Sequence, residues 1–200
     1  MHKTVVFGGT FNPIHNGHLM MAQAAVALPF VDELCLVPVM QPPHKDATGQ
    51  LVGGSHRMEM CRLASKLIKN CNVSDIELIR SGKSYTYDTL CELRRKYPSK
   101  EFCLLIGGDM VATFHEWFKY KDILKMADLI VVTRKEVTTY EFKTAVNNLK
   151  LQGGTLYFLN IDTPDISSTE IRKRISAGLD VSLMIPISVD QYIKNNRLYL

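Results

Sequence analysis

Gly8-Gly9-Thr10-Phe11-Asn12-Pro13-Ile14-His15-Asn16-Gly17-His18-Leu19 is the stretch from which the rest of the chain is read. It follows the apolar run Thr4-Val5-Val6-Phe7 and leads into an apolar pattern of different period. A strand, a glycine-rich turn and a helix start therefore open the chain. Gly8 and Gly9 permit a sharp turn and a close ligand approach, because no Cβ stands in the way. Pro13 stiffens the turn. A helix N-terminus offers unpaired N–H groups and a partial positive charge, a setting that favours phosphate. His15 and His18 flank Gly17, which keeps the helix start open to something bulky. The same helix end disfavours imidazolium, so both rings are expected to be neutral hydrogen-bond donors.

Other readings of this motif fail on spacing. It fits neither the GxGxxG dinucleotide fingerprint nor a Walker A loop, which needs Lys followed by Ser or Thr. No third ligand at a suitable spacing accompanies the histidine pair, so zinc is not expected. A nucleotide phosphate remains.

The bulk composition agrees. The chain has 200 residues, 46% hydrophobic and 22% charged, which fits one soluble globular domain spanning 1–200. A formal net charge of +4 suits small anions and lacks the clustered basic residues of a nucleic-acid footprint. Five cysteines, Cys35, Cys61, Cys71, Cys91 and Cys103, are widely spaced without a CxxC pair, as expected of reduced, buried thiols. No signal-peptide pattern opens the sequence, and no apolar run approaches the roughly 20 residues of a spanning helix. A cytoplasmic protein with no membrane partner is the expectation, and a homo-oligomer is compatible with it.

Strand signals recur at 4–7, 33–37, 102–106, 129–132 and 156–159, with a weaker one at 72–78. Helical patterns cover 19–28, 56–69, 87–97, 120–126, 139–151, 169–177 and 189–195. This alternation predicts a doubly wound α/β domain with a mostly parallel sheet covered on both faces. Such sheets bind ligands beyond the carboxyl ends of their strands, where the strand order reverses. The loop from Gly8 is therefore expected beside the one ending Leu104-Leu105-Ile106-Gly107-Gly108-Asp109, which also offers glycines and a carboxylate.

A second phosphate element is Ile166-Ser167-Ser168-Thr169-Glu170-Ile171-Arg172. Ser167 and Glu170 read as a capping box. That does not explain the hydroxyls of Ser168 and Thr169, nor Arg172 near the positive end of a helix. An anion in front of the helix does.

The middle of the chain narrows the second substrate. Gln41-Pro42-Pro43-His44-Lys45 is a rigid loop delivering a cation. Ser84-Tyr85-Thr86-Tyr87-Asp88-Thr89-Leu90 opens a helix, with Thr86 expected as its cap and N–H donors available to a small carboxylate. Phe114-His115-Glu116-Trp117-Phe118 carries the single Trp, suited to stacking on a flat ring. His115-Glu116 is not a metalloprotease motif, since Lys119 stands where the second His is required.

On these residues the chain resembles the HxGH nucleotidyltransferases, relatives of class I aminoacyl-tRNA synthetases, and within them the bacterial nicotinate mononucleotide adenylyltransferases. The match extends to the closing Val-x-x-Tyr-Ile and Leu-Tyr. The resemblance implies a Rossmann-like fold and transfer of the adenylyl group of ATP to nicotinate mononucleotide, giving deamido-NAD and pyrophosphate. It implies ATP contacts at Gly8, Gly9, Thr10, Phe11, His15, Gly17, His18, Gly107, Asp109, Ser167, Ser168, Thr169 and Arg172. Nicotinate mononucleotide falls to His44, Lys45, Tyr85, Thr86, Asp109 and Trp117. His15, His18 and Arg172, assisted by Lys45, stabilise the transferring phosphates.

Mg²⁺ is expected as cofactor, carried mainly by ATP phosphates, with no dedicated protein metal site. Two departures from the family pattern are Asn12, often Asp, and Met40, where several relatives carry Asn. Alternatives are an adenylyltransferase for nicotinamide mononucleotide, phosphopantetheine or riboflavin phosphate, and a non-catalytic nucleotide-binding relative. A synthetase-like RNA-binding role would need an appended anticodon or basic domain.

Overall fold

The computed structural model describes residues 2–40, 51–80, 82–133, 139–162 and 164–200. The expected His44 and Lys45 contacts, and the loop that carries them, lie outside the described residues.

The sheet has strands β1 (Lys3–Gly9), β2 (Val31–Pro38), β3 (Cys71–Val73), β4 (Glu101–Gly107), β5 (Ala127–Thr133) and β6 (Leu156–Asn160). Their order is β3-β2-β1-β4-β5-β6, and every pairing is parallel. The sheet is thus wholly parallel, as suits central strands that read as continuous apolar runs. The helices are α1 (Asn16–Val26), α2 (Gly54–Ser65), α3 (Thr86–Lys96), α4 (Asp109–Thr113), α5 (Tyr120–Met126), α6 (Tyr140–Leu151), α7 (Ser168–Ser176) and α8 (Ile187–Asn195).

Alternation along the strands sorts them into two cores. Val5, Phe7, Leu34, Leu36, Cys103, Leu105, Ile130 and Val132 face α1, α2, α7 and α8, whose Ala22, Met60, Ile171 and Val189 are fully buried. Val6, Cys35, Val37, Phe102, Leu104, Ile106, Leu129 and Val131 face α3, α4, α5 and α6 through Leu90, Val111, Ile123 and Leu149. A run apolar at every position is what a strand covered on both faces requires.

Two segments differ from expectation. The weak strand signal at 72–78 yields pairing only over Cys71–Val73. Beyond it the Ser74 hydroxyl accepts from Ile76 N–H, and the Asp75 carbonyl accepts from Leu78 and Ile79 N–H. Those local bonds take the chain into turns. The short α4 and the 3-10 helix Phe114–Glu116 have no counterpart among the expected elements, being too brief to show a period.

Burial pushes the thiols of Cys35, Cys71 and Cys103 up to about 12 and raises that of Cys61 as well. All five cysteines are free thiols. Among the described residues no helix is long and apolar enough to cross a membrane.

The order reverses between β1 and β4, which are neighbours in the sheet, as the switch-point rule requires. Their pairing runs from Lys3 opposite Glu101 to Val6 opposite Leu104. Beyond that point β1 continues on β2 as far as Gly9, while β4 continues on β5 as far as Gly107. The two strands therefore part before the Gly8-Gly9 and Gly107-Gly108 turns, leaving a crevice between the loops.

Candidate active site

α1 begins at the crevice, and its cap is built from the two motif histidines. His15 is the N-cap, in extended conformation, and its Nδ1 accepts from the His18 N–H at 3.4 Å. The His18 Nδ1 accepts in return from the His15 N–H at 3.2 Å. The rings stack with centroids 3.6 Å apart and planes 28° from parallel. This is a capping box in which imidazoles replace the usual Ser and Glu. Both Nδ1 atoms accept, so neither carries a proton, and a neutral ring then bears its N–H on Nε2. The expectation of neutral donors is thereby given a tautomer.

Gly17 serves this arrangement. A Cβ there would lie 3.1 Å from His15 Nδ1 and 3.2 Å from its Cε1. The bulky group for which the sequence reserves space is the first histidine itself. The expectation of unpaired amides at this helix start is corrected for three of them. The His15 and His18 N–H groups go to the rings, and Asn16 N–H goes to the Met184 carbonyl at 2.9 Å. What the α1 start presents is imidazole chemistry more than bare backbone.

The glycines before it divide in role. A Cβ on Gly9 would meet the Phe11 ring at 2.8 Å, whereas one on Gly8 would meet nothing within 4 Å among the described residues. Gly9 answers to packing; the described residues do not account for Gly8. Phe11, at φ 47°, is 2% exposed, and its ring meets Phe7 at 5.5 Å and His18 at 5.1 Å, both edge-on. Its side chain is a wall behind His18, not a surface open to ligand. The half-buried Thr10 has its carbonyl bonded to Arg57.

α7 is the other jaw. Ser167 is its N-cap, accepting from Glu170 N–H at 3.1 Å. The next two hydroxyls, which the capping reading leaves unexplained, have protein partners. Ser168 Oγ donates to the Pro13 carbonyl at 2.8 Å, and Thr169 Oγ1 accepts from Arg172 at 3.4 Å. Arg172 also donates from its other terminal nitrogen to the Asn12 carbonyl at 2.9 Å. The two phosphate elements named from the sequence are thus bonded directly to one another, across more than 150 positions of chain.

Across the switch point, Asp109 opens α4 directly after β4. Its Oδ1 lies over Gly107, where an added Cβ would come within 2.4 Å of it. The α3 start and the Trp segment also meet, since the Phe118 ring lies 4.9 Å from Tyr85 and 5.8 Å from Tyr87. Trp117 stacks on Phe114 at 4.8 Å and is itself half-buried. The N-cap of α3 is Tyr85, not Thr86, and the helix start carries no side-chain cap. Thr86 is the first helical residue. The absence of a side-chain cap leaves that helix end suited to an external acceptor, with Asp88 in the first turn opposing it in part.

Comparison with known proteins places this geometry. Residues 6–174 match the cytidylyltransferase-like family. A probable nicotinate-nucleotide adenylyltransferase of Shouchella clausii is 37% identical over 199 residues, covering 100% of this chain and 97% of the relative. The nicotinate-nucleotide adenylyltransferase of Bacillus subtilis (strain 168) is 33% identical, covering 100% and 99%. The chain belongs to the nicotinate-nucleotide adenylyltransferase family. Its fold is similar to that of a Plasmodium falciparum nicotinic acid mononucleotide adenylyltransferase complexed with NaAD, with TM-score 0.81, 21% identity and coverage of 100% and 98%.

Three residues support this site through bonds that the sequence did not disclose. Asn12, 5% exposed, accepts through Oδ1 from the Tyr199 hydroxyl at 2.7 Å and from Val52 N–H at 3.3 Å. Its departure from Asp keeps a short acceptor where one is needed. Tyr199 is appended 187 positions later and buried, so burial raises its phenol pKa and keeps the donor proton in place. Arg57 is 1% exposed and donates to the carbonyls of Val52, Thr10, Val39 and Met40, the Val39 bond being 2.5 Å. It ties the ends of β1 and β2 to the approach to α2. Among His56, Glu59 and Arg62 of the same helix, Arg57 carries no local sign of that role; the hint is its place on the buried face of α2. Met40 engages through its backbone, donating to Ser84 Oγ at 3.1 Å and accepting from Arg57. Neither bond requires the Asn of relatives.

Proposed function

We propose that the chain transfers the adenylyl group of ATP to nicotinate mononucleotide, releasing pyrophosphate and deamido-NAD. The observation that carries the reading is the reciprocal histidine cap bonded, through Asn12 and Arg172, to a second helix start. Such a pair of jaws fits a polyphosphate, with the His15 and His18 Nε2–H groups on one side and Arg172 with the Ser168 and Thr169 amides on the other.

The attacking group is the phosphate of the mononucleotide, mostly ionised at neutral pH with a second pKa near 6. It needs no enzymic base and no covalent intermediate. Oxygen attacks the α-phosphorus in line, the bond to the β-phosphate oxygen breaks, and pyrophosphate leaves with the electron pair. The protein positions both nucleotides and stabilises charge as it moves onto the leaving group. His15, His18 and Arg172 are assigned that task, with Lys45 assisting. Gly8, Gly9 and Thr10 bring backbone close to the nucleotide, and the lack of any described residue within 4 Å of a Cβ at Gly8 supports this. Phe11 contributes by holding His18. Gly107 and Asp109 are assigned to ribose.

Tyr85, Thr86 and the α3 amides receive the nicotinate carboxylate, with His44 contributing. Trp117 offers the face not covered by Phe114 to the pyridine ring. Mg²⁺ is assigned as cofactor. Among the described residues no three His, Cys, Asp or Glu gather into a metal site. A cation here fits the phosphate oxygens and water with Asp109 nearby, and it supplies neutralisation of phosphate charge when bound. The reading takes these two nucleotides as partners in the cytoplasm and uses neither nucleic acid nor membrane.

The test is pyrophosphate release from ATP with a panel of acceptors. Turnover is expected with nicotinate mononucleotide in preference to its amide, and equal turnover of both would refute the carboxylate site. His18→Ala is expected to lower kcat roughly 100-fold, the scale of one preorganised donor.

A further inference from the structure

Glu77 lies in the turns after β3, is 4% exposed, and has no place in the chemistry above. Its Oε1 accepts from the Thr89 hydroxyl at 2.5 Å, in the first turns of α3. The Ser84 hydroxyl opposes the upward shift that burial imposes on the carboxyl. Ser84 Oγ in turn accepts from Met40 N–H, at the end of β2. Arg80 donates to Thr89 Oγ1 at 3.0 Å, but its ion pair is with Glu92, at 2.9 Å. One buried carboxyl is therefore bonded to the helix turn after Tyr85-Thr86, while Ser84, the residue before them, is bonded to the end of β2.

Packing alone does not account for it. The second oxygen, Oε2, is buried without a hydrogen-bond partner among the described residues. A buried, half-satisfied carboxyl costs stability that a leucine at the same place would not. Departures of this kind from local rules are found at functional sites.

We propose that Glu77 is a positioning residue for the acceptor substrate, holding Thr89 and with it the first turn of α3 so that Tyr85, Thr86 and the α3 amides meet the carboxylate of the mononucleotide. The inference rests on the proposed function and assigns a residue to it. Glu77 itself touches no substrate. Its action is on the acceptor side only, since none of its bonded partners belongs to α1 or α7.

The test is steady-state pyrophosphate release by the full chain, varying each nucleotide in turn. Glu77→Leu is expected to raise KM for nicotinate mononucleotide about tenfold, as for a lost anchoring bond, with KM for ATP within about twofold of wild type. Glu77→Gln keeps the accepting oxygen and should hold that KM within about threefold. An unchanged mononucleotide KM in Glu77→Leu, or equal rises for both substrates, overturns the proposal. Should Glu77→Leu not fold, Thr89→Val decides the matter. It removes the hydroxyl that Glu77 holds and should raise the same KM roughly threefold with ATP unaffected, and no rise overturns the proposal. If the wild type does not turn over the mononucleotide at all, the functional reading fails and takes this role with it. Wild-type turnover with insensitive variants refutes the positioning role alone.

Discussion

Replacing Gly17 with alanine separates the stability of the motif helix from its chemistry. On propensity the change favours the helix, by up to about 1 kcal/mol. Against that, the new methyl would sit 3.1–3.2 Å from the His15 ring, which must give by a few tenths of an ångström. The ring is 7% exposed and stacked on His18, so it cannot move alone. Both reciprocal Nδ1 bonds are put at risk, at about 0.5–1.5 kcal/mol each. The two effects nearly offset, giving a net destabilisation of roughly 0–2 kcal/mol, or a fall in Tm of ~2–4 °C per kcal/mol. Activity has no such compensation. Both donors shift together, and misplacement of this order is expected to lower kcat/KM by roughly 10–100-fold. Thermal melts beside pyrophosphate-release kinetics give the two readouts. A Gly17→Ala protein with kcat/KM within about threefold of wild type would refute the account of the histidine cap as the preorganised donor pair.

Further expectations rest on other parts of the structure. Gly8→Ala should leave the melting temperature near wild type while raising KM for ATP; Gly9→Ala should cost roughly 1–3 kcal/mol in urea titrations, since its Cβ meets the Phe11 ring at 2.8 Å. Equal stability of the two variants would contradict the division of roles. Tyr199→Phe removes the hydroxyl that donates to Asn12 Oδ1 and should lower stability by about 1 kcal/mol by urea unfolding. In the native protein Cys35 and Cys61 should resist maleimide at neutral pH and react on denaturation, because both are buried and both thiols are raised. Mass spectrometry of partly labelled protein reads this directly.

Burial raises Glu77 above its ordinary value of 4.5, so the native state holds this proton more tightly than the unfolded chain does. Its contribution to stability is full below pH 4.5 and is lost as pH rises through the native value. Glu77→Gln should therefore gain stability relative to wild type as pH increases; a difference independent of pH, in urea titrations of both proteins, would refute it.

The architecture was legible from the chain because its causes are local. Continuous apolar runs of four or five residues between helical periods mark strands buried on both faces. The switch-point rule then set the loop after Phe7 beside the loop after Ile106. The signature at 8–19 and its partner at 166–172 were legible as well, since glycine, histidine and hydroxyl at fixed spacings have few other uses. Local logic failed where competing bonds were out of view. Thr86 read as a cap from its residue type, yet the chain enters α3 at Tyr85 with no side-chain cap. The Pro13 carbonyl and Arg172 that the hydroxyls of Ser168 and Thr169 meet were likewise out of view.

By itself the sequence determined the mostly parallel sheet, the place of the crevice and which two motifs would flank it, because each follows from periodicity or from residues neighbouring in the chain. Only the tertiary structure decided which nitrogen of each histidine carries its proton, why Gly17 must be glycine, and how the jaws are joined. Those depend on the Nδ1 atoms facing amides, on a ring lying over a helix turn, and on Tyr199, Arg172, Arg57 and Glu77 reaching distant backbone and side chains. Hydrogen bonds across such separations leave no period in the sequence; they exist only once the fold has brought donor and acceptor within 3 Å or so of each other.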